Sequence, residues 1–236
     1  MKHVVGLSGG KDSTAMALRL HELHPEIEYE YIGNWTGDEP AEVEAHLKRL
    51  EGILGAQVKP VCHDKDLIGL INELEMLPNF QARWCTRILK IEPTIAYFES
   101  LPKGSILYIG LRADEEFRRG MYGEDLTINF PMRDWGWGIT DVYSYLDSRG
   151  ICVPVRTDCE LCPLQRLGQW RDLYFNQPMK FWQGAALELQ HGHTFRSDKR
   201  DTWPAALVDL AKEFAAGRPL RERKQDKSRD CGVCGR

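Results

Sequence analysis

The 236-residue chain contains no run of about 18 apolar residues, which excludes a membrane-spanning helix at the level of sequence. It has no basic leader and no apolar signal core ahead of its first strand-like segment. A secretion signal is therefore not expected, and the cytoplasm is the expected compartment. Neither sign of charge dominates. Thirty-one Lys and Arg against 35 Asp and Glu give a net charge of −4, so any nucleic-acid binding needs a local patch. Internal repeats and low-complexity tracts are missing. The histidines show no ligand spacing, and His191 and His193, one residue apart in a polar stretch, read as solvated. Cysteine is not scarce: the chain has seven, at 62, 85, 152, 159, 162, 231 and 234. In a reducing compartment these are not expected to be structural disulfides. Two CxxC pairs, Cys159 with Cys162 and Cys231 with Cys234, point instead to metal or redox chemistry.

What is present is an alternation of short apolar runs and helical patterns. Val4 to Leu7 reads as a buried strand entering a tight loop. Met16, Leu20 and Leu23 follow at near-helical spacing, and Pro25 marks the stop. Strands are expected over Glu28 to Ile32, Gln57 to Cys62 and Ile106 to Gly110. Helices are expected over Ala41 to Leu54, Leu67 to Leu74, Thr86 to Phe98 and Ile139 to Arg149. Pro93 is tolerable in the third of these only as a kink or near a helix start. The alternation predicts an α/β fold with a doubly wound, mostly parallel, Rossmann-like sheet. Its ligand would sit beyond the carboxyl ends of the strands. Residues 1–150 form the expected nucleotide-binding domain, 151–216 a cysteine-containing helical extension, and 217–236 a basic tail. Phe181, Trp182 and Trp203 are expected in a core, the alternative being a dimer face. From Arg218 to Arg229 there are six basic and two acidic residues, a local excess that suits a nucleic-acid phosphate backbone, the equal alternative being a disordered, solvated tail.

The stretch Ser8-Gly9-Gly10-Lys11-Asp12-Ser13-Thr14 lies between the first strand and the first helix. Gly9 and Gly10 clear side chains where backbone must approach a ligand. Their amides and the first helical turn make an anion nest. Ser8, Ser13 and Thr14 add hydroxyls, and Lys11 adds a point charge suited to phosphate. It is not a Walker A loop, because Lys11 is followed by Asp12. The plain alternative is a capped helix start, with Ser8 or Asp12 as the cap.

This loop resembles the PP-loop of the ATP pyrophosphatases (the adenine-nucleotide α-hydrolase superfamily, HUP-type fold). Four further segments resemble the phosphoadenosine phosphosulfate (PAPS) reductase branch: NWTGDEP (Asn34 to Pro40), RWCTRILKIEP (Arg83 to Pro93), GLRADEEFRRG (Gly110 to Gly120) and FPMRDWGWGITDVYSYLDSRGI (Phe130 to Ile151). Glu116 stands where serine is usual. The resemblance implies an enzyme that holds the pyrophosphate of ATP and lets a nucleophile attack the α-phosphorus. On that implication Ser8, Gly9, Gly10, Ser13 and Thr14 hold phosphates and Lys11 offsets developing charge. Asp12 and Asp38 are magnesium candidates, although Asp38 reads equally as a helix-start residue. Arg112 and Arg119 meet phosphate or an acceptor, the plain alternative for each being a solvated salt bridge.

The two CxxC pairs taken alone read as a four-thiolate zinc site. The resemblance offers a different grouping, a 4Fe–4S cluster on Cys85, Cys159 and Cys162. The relatives' double cysteine is here Trp84-Cys85, so one ligand is missing unless Cys231 or Cys234 supplies it, or the fourth iron site stays open. Thiolate ligation alone does not separate iron–sulfur from zinc, and free thiols or a catalytic disulfide stay open too. Cys62 and Cys152 read as packed structural residues. Three functions follow from the resemblance. The first is ATP-dependent adenylylation of an acceptor, DNA or tRNA, for sulfur incorporation, with a cysteine desulfurase as donor. The second is reduction of adenylyl sulfate (APS) or PAPS by a C-terminal cysteine, Cys231. The third is a non-catalytic ATP-binding subunit.

Overall fold

A computed structural model describes residues 1–118, 122 and 126–220. Five parallel strands form one sheet in the order β3-β2-β1-β4-β5: β1 His3–Gly6, β2 Tyr29–Gly33, β3 Val58–Pro60, β4 Ile106–Tyr108 and β5 Thr127–Asn129. The order reverses at β1, between β2 on one side and β4 on the other, so β1 ends at the topological switch point. Alternation along β1 sorts the core. Val5 faces α1 (Lys11–Leu23), α2 (Ala41–Leu54) and α7 (Ile139–Ser148), whereas Val4 faces Phe98 of α5 (Glu92–Glu99). Two covered faces are what a parallel sheet requires, and the doubly wound α/β expectation holds.

The remaining elements explain where the sequence reading was coarse. β5 was not expected, since three residues following a polar loop carry too little periodicity to register. The strand expected over Gln57 to Cys62 is only Val58–Pro60. The helix expected over Thr86 to Phe98 is three pieces: α4 (Trp84–Thr86), a wide π turn (Arg87–Ile91) and α5, with Pro93 in the first turn of α5. The wide turn gives the proline ring room while the chain continues in a helical direction.

A second core lies apart from the sheet. α3 (Leu67–Leu74), α8 (Leu167–Asn176), α9 (Pro178–His191) and α10 (Leu207–Ala215) pack around Trp170, Phe181, Phe195 and Leu210. Phe181 and Trp203 are buried there as expected, while Trp182 is 47% exposed. No helix among the described residues is long and apolar enough to cross a membrane.

Candidate nucleotide and thiol site

The glycine loop leaves β1 with the Leu7 amide still donating to Ile32 O (2.8 Å). Gly9 is left-handed (φ +74°), and a Cβ there would lie 2.9 Å from Val43 Cγ1. Gly10 is extended and is the N-cap of α1, with no side chain capping the helix. The plain alternative, a cap from Ser8 or Asp12, is therefore not realised. The Lys11, Asp12 and Ser13 amides are the first of the helix and have no acceptor within it. Serines tie the loop into shape. Ser8 N donates to Ser13 Oγ (3.2 Å), the two hydroxyls are 3.1 Å apart, Ser13 Oγ donates to Gly10 O (3.1 Å), and Gly10 N reaches Ser8 Oγ at 3.4 Å. Outward amides at a helix start make a ready anion cradle.

Thr14 departs from its expected role. Its hydroxyl is buried against His46 Nε2 (2.9 Å) inside the α1–α2 interface, where a buried hydroxyl needs a partner. Burial, and then the charge of Arg49, lower the His46 pKa to about 4, so the imidazole is neutral. Lys11 Nζ lies 3.0 Å from Asp12 Oδ2. Arg112 Nη1 reaches both Asp12 oxygens at 3.1 and 3.0 Å, and Arg112 Nε reaches Asp114 at 2.8 Å. The three catalytic candidates Lys11, Asp12 and Arg112 thus form one ionic cluster at the mouth of the loop. Gly110 lets the segment leaving β4 come that close: a Cβ there would lie 3.1 Å from the Asp12 and Ser13 backbone. Arg119, Cys231 and Cys234 lie outside the described residues.

The thiols gather beside this loop. A Cβ on Gly10 would meet Thr157 Oγ1 at 3.3 Å, and Cys159 is two residues on, at most about 7 Å along the chain. Cys159 and Cys162 are joined by a turn, Cys162 N donating to Cys159 O (3.1 Å). Cys85, at the start of α4, packs on the same second core as Cys159 and acts electrostatically on Cys162. Cys62, Cys85, Cys159 and Cys162 are free. Burial pushes the Cys159 thiol up to about 12 and raises Cys85 and Cys162, so the three are protonated at neutral pH. Among the described residues no three His, Cys, Asp or Glu side chains stand close enough to hold a single metal ion. Cys62 is exposed rather than packed, though its sulfur accepts from Trp35 N at 3.3 Å. His193 is exposed, and His191 contacts Asn72 at 3.4 Å.

The turn after β2 docks the cysteine loop. Asp38 is fully buried at its side chain. Its Oδ2 accepts from Leu161 N (2.8 Å), its other oxygen pairs with Lys180, and its backbone oxygen accepts from Glu160 N (2.7 Å). Burial raises its pKa against the opposing pull of Lys180. The Asp38 carboxylate shares no partner with Asp12 among the described residues, and Pro40, not Asp38, caps α2. Its neighbour Thr36 contacts Cys159 Sγ (3.1 Å) and donates to Glu39 Oε1 (2.7 Å). Sequence reasoning missed Lys180 and Arg200, which reach this site across long separations, and also Arg156 and Thr157, which lie beside Cys159 in the chain. One signal was readable: Thr36 with Glu39 three residues on has the spacing of a reciprocal cap.

Comparison with known proteins supplies the family and one neighbour. Residues 2–155 match the model of the phosphoadenosine phosphosulfate reductase domain. No curated protein matches the chain. Among solved structures, a U34-tRNA thiolase NcsA from Methanococcus maripaludis, with its 4Fe–4S cluster, is similar at 17% identity and a TM-score of 0.47. The match covers 94% of this chain and 83% of that one.

Proposed function

The chain belongs to the phosphoadenosine phosphosulfate reductase domain family, and from that premise we propose that it is an ATP pyrophosphatase that adenylylates a nucleic-acid acceptor for sulfur incorporation. One observation carries the reading. Thr157, two residues before the thiol Cys159, lies against Gly10 of the candidate anion cradle. A sulfur site and a phosphate site that adjoin suit a reaction that uses both.

ATP would lay its β- and γ-phosphates on the amides of Gly9, Gly10, Lys11 and Asp12, with Ser8 and Ser13 beside them. An acceptor oxygen would then attack the α-phosphorus. The bond from the α-phosphorus to the bridging oxygen would break, and pyrophosphate would leave. Lys11 would neutralise the charge developing on that leaving group. Arg112, held by Asp12 and Asp114, would meet the α-phosphate, and Asp12 would be the carboxylate nearest to a bound magnesium. Arg119 is proposed for phosphate or acceptor on the resemblance alone. Sulfur then displaces AMP from the activated acceptor, and a cysteine desulfurase is the proposed source of that sulfur.

Cys85, Cys159 and Cys162 would supply thiol donors for a thiolate-held group, and cations act on each of them. These three would hold a 4Fe–4S cluster, whose ligands spread over several irons, with Cys231 or Cys234 as a further ligand; a single zinc ion on these three does not fit, because they do not stand close enough to share one ion. A bound cluster would supply a site for sulfide. Asp38, occupied by Leu161 N and Lys180, is proposed to hold the loop that carries Cys159 and Cys162.

The family's own name favours a second reading, sulfonucleotide reduction with Cys231 as nucleophile. The two separate by assay. Release of pyrophosphate from ATP, in the presence of oligonucleotide, should fall about 100-fold in Lys11→Ala. Undetectable release by the wild-type protein, together with thiol-dependent sulfite formation from PAPS, would replace the first reading with the second.

A further inference from the structure

Several arginines among the described residues are ion-paired; Arg49, Arg133 and Arg171 are not, and neither are five cations around the thiols. Arg19, Arg87, Arg112, Arg118, Arg149, Arg196 and Arg218 each stand in an ion pair. Arg83, Lys90, Arg156, Arg166 and Arg200 stand in none among the described residues. These five still share a neighbourhood. Arg83 is two residues before Cys85 and reaches only Thr86 Oγ1, at 3.3 Å. Arg156 donates to Cys159 O, and Arg200 to Pro163 O and Leu164 O (both 3.3 Å), on the far side of Cys162. Arg166 lies two residues beyond Leu164 and its charge acts on Arg200. Lys90 acts on both Cys85 and Cys159. The carboxylates nearby, Asp158 and Glu160, ion-pair with none of them.

An exposed aromatic adjoins this rim. Asn79 Oδ1 accepts from the amides of Gln81 and Ala82 (2.9 and 2.8 Å), and Asn79 N donates to Ala82 O (3.2 Å). The turn so closed turns Phe80 outward, 73% exposed, three residues before Arg83. A phenyl ring held out on a tight turn at the edge of unpaired guanidinium groups matches a single strand of nucleic acid. Guanidinium forks take phosphate oxygens, and the ring takes a base face. A small sulfonucleotide would need neither the spread of cations nor the outer ring.

We propose that Arg83, Arg166 and Arg200 receive the phosphates of a single-stranded nucleic-acid acceptor, with Phe80 stacking a base, and so bring it over the thiols. This rests on the adenylyl-transfer reading and moves the acceptor surface from the basic tail to the rim of the cysteine site.

The test is fluorescence anisotropy of labelled RNA and DNA strands of about 12 nucleotides with the full chain, kept anaerobic, across a salt series. Expected is binding that weakens with salt. Arg83→Ala and Arg166→Ala should each lower affinity about fivefold and the salt slope by about 0.7. Phe80→Ala should lower affinity about tenfold with the slope unchanged. Arg83→Lys should restore the slope, which a folding defect would not allow. Comparing the two strands identifies the acceptor sugar. Thermal shift by magnesium and ATP, measured on the same proteins, should be unaltered; its loss in wild type would count against the ATP reading and not against the rim. The proposal is overturned if wild type binds neither strand, if these variants bind as wild type, or if binding is lost instead in a triple Arg221→Ala, Arg223→Ala, Lys224→Ala variant.

Discussion

The phosphate loop and the thiol site adjoin but are built in opposite ways. The loop is seven consecutive residues, and its working groups are backbone amides set by two glycines and a helix start. Its charges close on themselves: Lys11 on Asp12, Asp12 on Arg112, Arg112 on Asp114. The thiol site draws on separate segments: the turn after β2, the start of α4, the loop from Arg156 to Gln165, and α9. It is held by side chains reaching backbone and by the Asp38–Lys180 pair, while the cations at its rim are left unpaired. Local backbone geometry forms with the helix itself. A site of distant side chains depends on the second core, and on one buried ion pair in particular.

That difference predicts where each half breaks. The largest effect should come from Asp38→Ala, which leaves Lys180 without its partner and Leu161 N without its acceptor. We expect a loss of about 3 kcal/mol in urea unfolding, with Cys159 and Cys162 alkylated faster and ATP-dependent stabilisation retained. Equal loss of ATP binding would show that the two halves are one unit. Gly9→Ala should do the reverse. A side chain at φ +74°, 2.9 Å from Val43 Cγ1, costs about 2 kcal/mol and should weaken nucleotide binding while leaving thiol alkylation rates alone. Gly55→Ala, also left-handed (φ +65°) but with nothing within 4 Å, is the control and should cost about 1 kcal/mol with no effect on nucleotide.

The smallest effect is a pH dependence of opposite sign in the two halves. His46, beneath the loop, is lowered to about 4 by burial and Arg49. The folded state binds its proton less tightly than the unfolded chain, so its contribution is full above pH 6.5 and is lost as pH falls toward 4. Glu188, in the second core, accepts from Phe195 N (2.9 Å) and Leu207 N (2.6 Å), and burial raises it to about 7. Its contribution is full below pH 4.5 and is lost as pH rises through 7. Urea midpoints should therefore lose their acid-side decline in His46→Gln and part of their alkaline-side decline in Glu188→Gln. The reverse pairing would contradict the assignment.

The same difference decides what could be read from sequence. Ser8 to Thr14 was legible because strand, glycines and helix start are contiguous, as were the alternating elements that set the sheet. Thr14 shows the limit even there, since nothing local says that its hydroxyl faces His46, 32 residues away. The convergence of Cys85 with Cys159 and Cys162 was implied by resemblance, not by periodicity. Asp38 looked like a metal ligand because its partner Lys180 is 142 positions along, and a buried ion pair leaves no mark on either local sequence. β5 escaped because three residues carry no period.

The central claim is that the loop holds the triphosphate of ATP. Thermal shift on anaerobically purified protein, comparing ATP, APS and PAPS with and without magnesium, tests it most directly, because a ligand of the folded state raises apparent stability with the logarithm of its excess over Kd. The account predicts magnesium-dependent stabilisation by ATP that is lost in Lys11→Ala, with APS and PAPS weak. Stabilisation by APS or PAPS, with ATP without effect, would contradict it and move the chemistry to Cys231.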